Sequence, residues 1–146
     1  MSCKIIPVVD LRNGVAVRAV SGDRANYKQL DNAAFNSNGL CRIIEVLLKL
    51  SRSNILYVAN LNGIAGDDSY DWILYEIIRK FKKIEIWVDN GFQDLGELRS
   101  FHKGFSTWSE KKGMSRMNYS PPTSIIELKS ALPTNHPAAL YLATIS

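Results

Sequence analysis

The chain has 146 residues but only two cysteines, Cys3 and Cys41, and only two histidines, His102 and His136. The cysteines form no C-x-x-C motif and have no histidine nearby. This pattern favours buried thiols in a reducing compartment over a disulfide, and it predicts a cytoplasmic location. The histidines lie in polar stretches without other residues at ligand spacing, so no metal site is expected.

Long apolar runs and several well-known catalytic motifs are also missing. No run of about 18 apolar residues is present, so neither a transmembrane helix nor a membrane partner is expected. The N-terminus has no signal-peptide pattern. There is no P-loop, no G-x-S-x-G and no H-E-x-x-H motif, which argues against the chemistry that these motifs carry.

The net charge of +4 comes from scattered basic residues, apart from one short cluster, Arg79-Lys80 and Lys82-Lys83. This cluster ends a predicted helix, where positive charge complements the helix dipole. Nucleic acid is therefore not expected as a partner. A small phosphorylated ligand remains compatible with the charge.

Short apolar runs alternate with amphipathic segments along the chain. The runs predict buried strands, and the segments predict helices. Strands are expected at 4–10, 54–60 and 84–88, and helices at 39–50, 70–81 and 95–101. Asn13-Gly14 predicts a turn into a short hairpin arm over 15–20. The pattern indicates a parallel α/β sheet.

The remaining segments give weaker signals. Residues 21–38 and 61–66 are predicted to be loops, and residues 104–113 are polar and irregular. Further on, a strand stub is expected at 116–119, a helix at 124–132 and a fifth strand at 139–145.

Three predicted strands end in a polar residue that is followed by a glycine within four positions. The pairs are Asp10 with Gly14, Asn60 with Gly63, and Asp89 with Gly91. Ligands of α/β proteins bind at the carboxyl ends of strands, so this recurrence predicts a ligand-binding rim. Asp and Asn are also common in turns and helix caps, which would make each ending structural. A partly desolvated carboxylate at Asp10 would suit proton transfer.

The run IIPVVDLRNGVAVRAVSGDRANY, from Ile5 to Tyr27, resembles the opening of the HisA/HisF-related family of histidine biosynthesis. That family comprises phosphoribosylformimino-aminoimidazole-carboxamide ribotide isomerases and their sister cyclases. YVANLNGIAG and WVDNGF are similar to its second and third strands. The likeness covers 1–101 and is faint over 102–146. It implies one partial (β/α)8 barrel domain over 1–146, built from the first four to five βα units.

The resemblance also implies a chemistry, an Amadori-type aldose–ketose isomerisation of a phosphorylated metabolite without a cofactor. Two aspartates at the ends of strands one and five would act as acid and base. Asp10 matches the first of them and is the predicted catalytic residue. The residues predicted to bind substrate or phosphate are Asn60, Asn62, Asp89, Asn90 and Gly91.

The chain departs from the family pattern at several positions. ALYLATIS, the predicted fifth strand, has no aspartate, and Asn60 and Asn62 stand where acids are usual. An isomerase would then need a second carboxylate from Asp89 or from a partner subunit in a homodimer that closes the barrel. The alternative is a truncated, catalytically silent half-barrel that binds phosphate or a partner chain.

Overall fold

The computed structural model describes residues 4–18, 27–34, 39–112 and 143–145, which form one mixed sheet and four helices. The strands are β1 (Val8–Arg12), β2 (Val15–Arg18), β3 (Lys28–Ala34), β4 (Ile55–Asn60), β5 (Glu85–Asp89) and β6 (Ala143–Ile145). The helices are α1 (Gly39–Ser51), α2 (Leu61–Ile64), α3 (Asp71–Lys80) and α4 (Leu95–Lys111). The sheet order is β3-β2-β1-β4-β5-β6.

The expected partial (β/α)8 barrel is wrong. A barrel of that type is built from parallel strands that close on themselves. Among the strands that the structure describes, only β1, β4 and β5 run parallel to one another. The antiparallel strands β2 and β3 extend one side of this centre, and β6 is antiparallel to β5 on the other. The result is an open mixed sheet in a small α/β domain.

The Asn13-Gly14 turn is confirmed. Asn13 has φ 50° and Gly14 has φ 80°, and Arg12 pairs with Val15 across the two-residue loop. Positive φ at both positions is the geometry that joins twisted antiparallel strands tightly. Part of the loop predicted over 21–38 is instead strand β3, which pairs with the arm β2. Residues 21–26 and 35–38 of that loop lie outside the described part.

The predicted helices over 39–50 and 70–81 are confirmed as α1 and α3, and the loop after β4 contains the single turn α2. Helix α4 continues to Lys111, so the expectation of an irregular segment from residue 104 is wrong. Leu98, Phe101 and Phe105 form one buried stripe that carries the helix through Gly104. A Cβ at Gly104 would lie 2.5 Å from the Tyr75 hydroxyl, so close packing explains this glycine.

The described part of the predicted fifth strand is β6, and it runs in the opposite direction to the one expected. Its antiparallel pairing with β5 follows from long-range contacts that the local sequence does not encode. The strand predicted at 116–119 and the helix predicted at 124–132 lie outside the described residues.

The hydrophobic core lies on one face of the sheet, called here the helix face. Its buried residues on β1, β4 and β5 are Val9, Leu11, Leu56, Val58, Ile86 and Val88, and they pack with α1, α3 and α4. Alternation along the strands sends the residues between them to the other side. We call that side the carboxylate face, defined by Asp10, Tyr57, Ala59, Trp87 and Asp89. In the described part of the chain, no helix is long and apolar enough to cross a membrane.

Candidate functional site

Two carboxylates flank the central strand on the carboxylate face. Asp10 of β1 and Asp89 of β5 are both Cα partners of Ala59 on β4, so the three residues form one row across the sheet. Neighbouring strands lie about 4.8 Å apart, which puts the two aspartate Cα atoms roughly 10 Å from each other. Because the Ala59 side chain between them is only a methyl group, it leaves space for a small molecule between the two carboxylates.

Tyr57 lies two residues before Ala59 on the same face of β4, and its hydroxyl donates to Asp89 Oδ2 at 3.1 Å. Burial, followed by the negative charges of Asp89 and Asp10, raises the pKa of Tyr57 well above its usual value. The phenol therefore stays protonated and acts as a hydrogen-bond donor. Sequence reasoning missed this residue. The signal that could have found it is alternation along β4, which puts residues 57 and 59 on one face.

Asp89 is fixed through its second oxygen as well. It is only 7% exposed, and its Oδ1 accepts a hydrogen bond from the Gly91 backbone N–H at 3.2 Å. Gly91 has φ 72°, and a Cβ at this position would lie 2.6 Å from the Ile64 Cα atom. Glycine is thus required both by the backbone conformation and by the close approach of α2.

Asn60 is the last residue of β4 and Asn90 comes directly after β5, and both side chains point to the helix face. Asn60 pairs in register with Leu11, is 1% exposed, and donates from Nδ2 to Asn90 Oδ1 at 2.7 Å. Asn90 Nδ2 in turn donates to Asp71 Oδ1 at 2.9 Å at the start of α3. Burial is the main cause that raises the pKa of Asp71. The two amides therefore tie the strand ends to a helix, on the side of the sheet opposite to Asp10 and Asp89.

Asn62 joins the β1–β2 turn to the loop that precedes α3. Its Oδ1 accepts from the Asn13 N–H at 2.7 Å, and its Nδ2 donates to Asn13 Oδ1 and to Asp67 Oδ2. Hydrogen bonds from Ser69 and Asn62 lower the pKa of the exposed Asp67. Of the six residues predicted for the site, Asn60 and Asn90 thus lie on the helix face, Asn62 lies in α2, and Gly91 lies in the loop after β5. Only Asp10 and Asp89 share the row with Ala59.

The carboxylate face carries further charged and aromatic side chains around this row. Arg12 is the next residue of β1 with the same orientation as Asp10. Trp87 pairs in register with Tyr57, and its indole N–H donates to Glu85 Oε1 at 2.7 Å. Among the residues that the structure describes, no three His, Cys, Asp or Glu side chains are grouped to hold a metal ion. Chemically, the row and the neighbouring Tyr57 offer two carboxylates and one phenol to a small polar molecule.

The chain is similar to a protein of Methanocaldococcus jannaschii over part of its length. No protein-family model matches the chain. Over 101 residues, 68% of this chain, it is 33% identical to the uncharacterized protein MJ0703 of Methanocaldococcus jannaschii. The aligned part is 42% of that protein, so the chain spans less than half of its relative's length.

Proposed function

We propose that the chain binds a small phosphorylated sugar on the carboxylate face and catalyses its aldose–ketose isomerisation. Asp10 and Asp89 would be the proton-transfer pair. Asp89 takes the role that the absent aspartate of the fifth strand would otherwise have. We also propose a cytoplasmic location, as predicted from the two cysteines.

The observation that carries the proposal is the row formed by Asp10, Ala59 and Asp89. An isomerase of this class needs two groups that exchange protons on opposite sides of a bound carbon chain. Two carboxylates separated by one small side chain meet that need. The nearby Tyr57 hydroxyl supplies a further hydrogen-bond donor.

The reaction needs only proton transfer. One carboxylate removes the proton on C2 of the open-chain aldose, while the other, protonated, gives its proton to the C1 carbonyl oxygen. The enediol then receives the first proton at C1, and its C2 hydroxyl returns a proton to the second carboxylate. The ketose has the same atoms as the aldose, and both carboxyl groups regain their starting protonation states.

Arg12 supports a phosphorylated rather than a neutral sugar. It follows Asp10 by two positions on β1 and therefore lies at the carboxyl edge of the same face. A guanidinium group can bind a phosphate through two parallel hydrogen bonds. The ligand would then have its phosphate near Arg12 and its C1–C2 end above Ala59.

Calorimetric titration with ribose 5-phosphate, together with an assay for ketose formation, tests the proposal. We expect Asp10→Asn and Asp89→Asn each to reduce turnover by about 10²–10⁴-fold, the usual contribution of a general acid or base. Ala59→Val should weaken binding while both carboxylates stay in place. Glu110→Gln, an exposed change on α4, is the control. Full turnover in Asp10→Asn would remove the catalytic assignment.

A second candidate is a chain that binds a phosphorylated metabolite without chemistry. It is favoured by the fact that both oxygens of Asp89 already accept hydrogen bonds, from Tyr57 and from Gly91. In that case ribose 5-phosphate binds and Ala59→Val weakens binding, but the wild-type chain forms no ketose.

A further inference from the structure

We propose that Tyr57 is a positioning residue that holds the Asp89 carboxylate in the plane from which it faces Asp10 across Ala59. This inference rests on the proposed function, because it explains how one member of the proton-transfer pair is oriented. The role of Tyr57 follows from its contact with Asp89, because no sequence motif marks this tyrosine.

The geometry at Asp89 supports this role. The carboxylate has one donor on each oxygen, the Tyr57 hydroxyl on Oδ2 and the Gly91 N–H on Oδ1. The Tyr57 donor comes from β4, and the Gly91 donor comes from the loop that follows β5. A single donor would leave the carboxylate free to rotate about its terminal bond, whose torsion is soft. Two donors fix that rotation.

The charges around Tyr57 keep its hydroxyl in the donating form. Asp89 faces it from β5 and Asp10 from β1, and both negative charges disfavour ionisation of the phenol. Two further charged residues lie on the same face, Arg12 on β1 and Glu85 on β5. The Tyr57 hydroxyl thus donates a hydrogen bond to Asp89 and also lies within the electrostatic influence of Asp10.

Packing alone does not require the hydroxyl. Tyr57 is half-buried, in a row with the exposed Val8 and the half-buried Trp87, where a phenylalanine ring would fill the same space. The hydroxyl therefore has a specific task at Asp89. Replacing it by hydrogen removes one donor and leaves the aromatic ring.

The first experiment tests the contact without any ligand. The chain has six tyrosines, so the ultraviolet absorbance titration of the wild type minus that of Tyr57→Phe isolates the Tyr57 phenolate. We expect this titration to move to lower pH in Asp89→Asn and, by less, in Asp10→Asn. Asp68→Asn, which is exposed and lies in the loop before α3, is the control and should not move it. An unchanged titration in Asp89→Asn would overturn the proposal.

The second experiment tests the role in catalysis. With ribose 5-phosphate, Tyr57→Phe should lower the maximal rate by about tenfold or more, while the Michaelis constant changes by less than about threefold. The pH–rate profile should shift as well. Tyr75→Phe, in the core on the helix face, is the control and should leave both unchanged. A normal rate and profile in Tyr57→Phe would overturn the positioning role.

The two experiments separate the failure of this inference from the failure of the proposed function. If the Tyr57 titration responds to Asp89→Asn but the wild type forms no ketose, the function is wrong and the Tyr57–Asp89 coupling remains. If ketose forms and requires Asp10, but Tyr57→Phe is normal, the function stands and this inference is wrong.

Discussion

The side chains of Asn60 and Asn90 are joined by a 2.7 Å hydrogen bond between the ends of two neighbouring parallel strands. The bond continues to Asp71 at the start of α3. All three side chains lie on the helix face, with Asn60 and Asn90 almost completely buried. Asn60 and Asn90 therefore connect the carboxyl ends of β4 and β5 to helix α3. The carboxylates of Asp10 and Asp89 lie near the same strand ends but point to the opposite face of the sheet.

Asn90→Ala should destabilise the fold by about 1–3 kcal/mol, the cost of leaving buried polar groups without partners. The substitution removes the acceptor of Asn60 and the donor to Asp71 together. Urea denaturation measures the loss. Gln93→Ala is the control, because Gln93 donates to the Gly91 carbonyl oxygen at an exposed position, and its loss should cost less than about 0.5 kcal/mol. Equal losses in the two variants would show that the hydrogen bonds from Asn60 to Asn90 and from Asn90 to Asp71 stabilise the fold no more than an exposed hydrogen bond does.

Gly91→Ala and Gly66→Ala should separate backbone strain from steric clash. Both glycines have positive φ, 72° and 88°. A Cβ at Gly66 would meet nothing within 4 Å, so Gly66→Ala should cost about 1–2 kcal/mol for the left-handed conformation alone. At Gly91 the Cβ would also clash with the backbone of Ile64, so the loss should be roughly 3 kcal/mol or more.

Thermal and urea unfolding of the two glycine variants would check this difference. If Gly91→Ala were no less stable than Gly66→Ala, then α2 would yield easily to an added methyl group at this position. The close approach of α2 to the β5 loop would then not explain the glycine.

The strands of the parallel centre and the first turn were predictable because their signals are local. The β-branched runs ending at Asp10, Asn60 and Asp89 mark buried strands, and Asn13-Gly14 supplies the two positive φ angles of a tight hairpin. Strand β3 was missed because KQLDNAA has no apolar alternation. The direction of β6 was missed because pairing partners are chosen by contacts distant in sequence. The family resemblance predicted a barrel, and the antiparallel pairing of β3 and β6 makes the sheet an open mixed one instead.

The sequence predicted which strand ends carry the polar residues of the site, but not which of these residues lie together. Asp10 and Asp89 come from the same rim as Asn60 and Asn90, but the two aspartates lie on the carboxylate face and the two asparagines lie on the helix face. Which face each one occupies depends on the register, such as Leu11 beside Asn60, and register appears only when the strands pair. Likewise, Gly104 suggests a helix end in sequence, while in the fold it makes room for the Tyr75 hydroxyl.

Glu76→Gln should destabilise the chain by about 1–3 kcal/mol, the range for a buried group that loses charge-assisted hydrogen bonds. Glu76 is 7% exposed, its Oε2 accepts from Arg79 at 2.8 Å, and its Oε1 lies 3.6 Å from Lys112 Nζ at the end of α4. The Arg79 pair lies within α3, and the Lys112 pair connects α3 to the end of α4. High salt should reduce the difference between wild type and variant, because Arg79 and Lys112 are partly exposed.

Urea midpoints at low and high salt would measure the Glu76 effect. The control is Glu110→Gln, an exposed position on α4, where a change of less than about 0.5 kcal/mol is expected. A Glu76→Gln chain as stable as the wild type would mean that burying the carboxylate costs as much as its ion pairs contribute.

The fold should lose stability at alkaline pH through Tyr75. Burial, with smaller effects from Asp71 and Asp68, raises the pKa of Tyr75 to about 12. A tyrosine in the unfolded chain ionises near pH 10, so above that pH the unfolded state gives up a proton that the folded state keeps. The stability that depends on Tyr75 is therefore complete below pH 10 and is lost as the pH rises towards 12.

Urea denaturation between pH 9 and pH 11.5 measures this loss, and Tyr75→Phe should flatten the decline while costing at most about 1.5 kcal/mol at neutral pH. The neutral cost is small because the Tyr75 hydroxyl makes a long hydrogen bond, 3.4 Å to the Phe101 carbonyl oxygen. Tyr57→Phe should flatten the curve as well, since burial and two carboxylates raise the pKa of Tyr57 in the same direction. If the Tyr75→Phe curve remained as steep as that of the wild type, the alkaline loss would come from other groups, and the Tyr75 hydroxyl would be as accessible to ionisation in the folded chain as in the unfolded one.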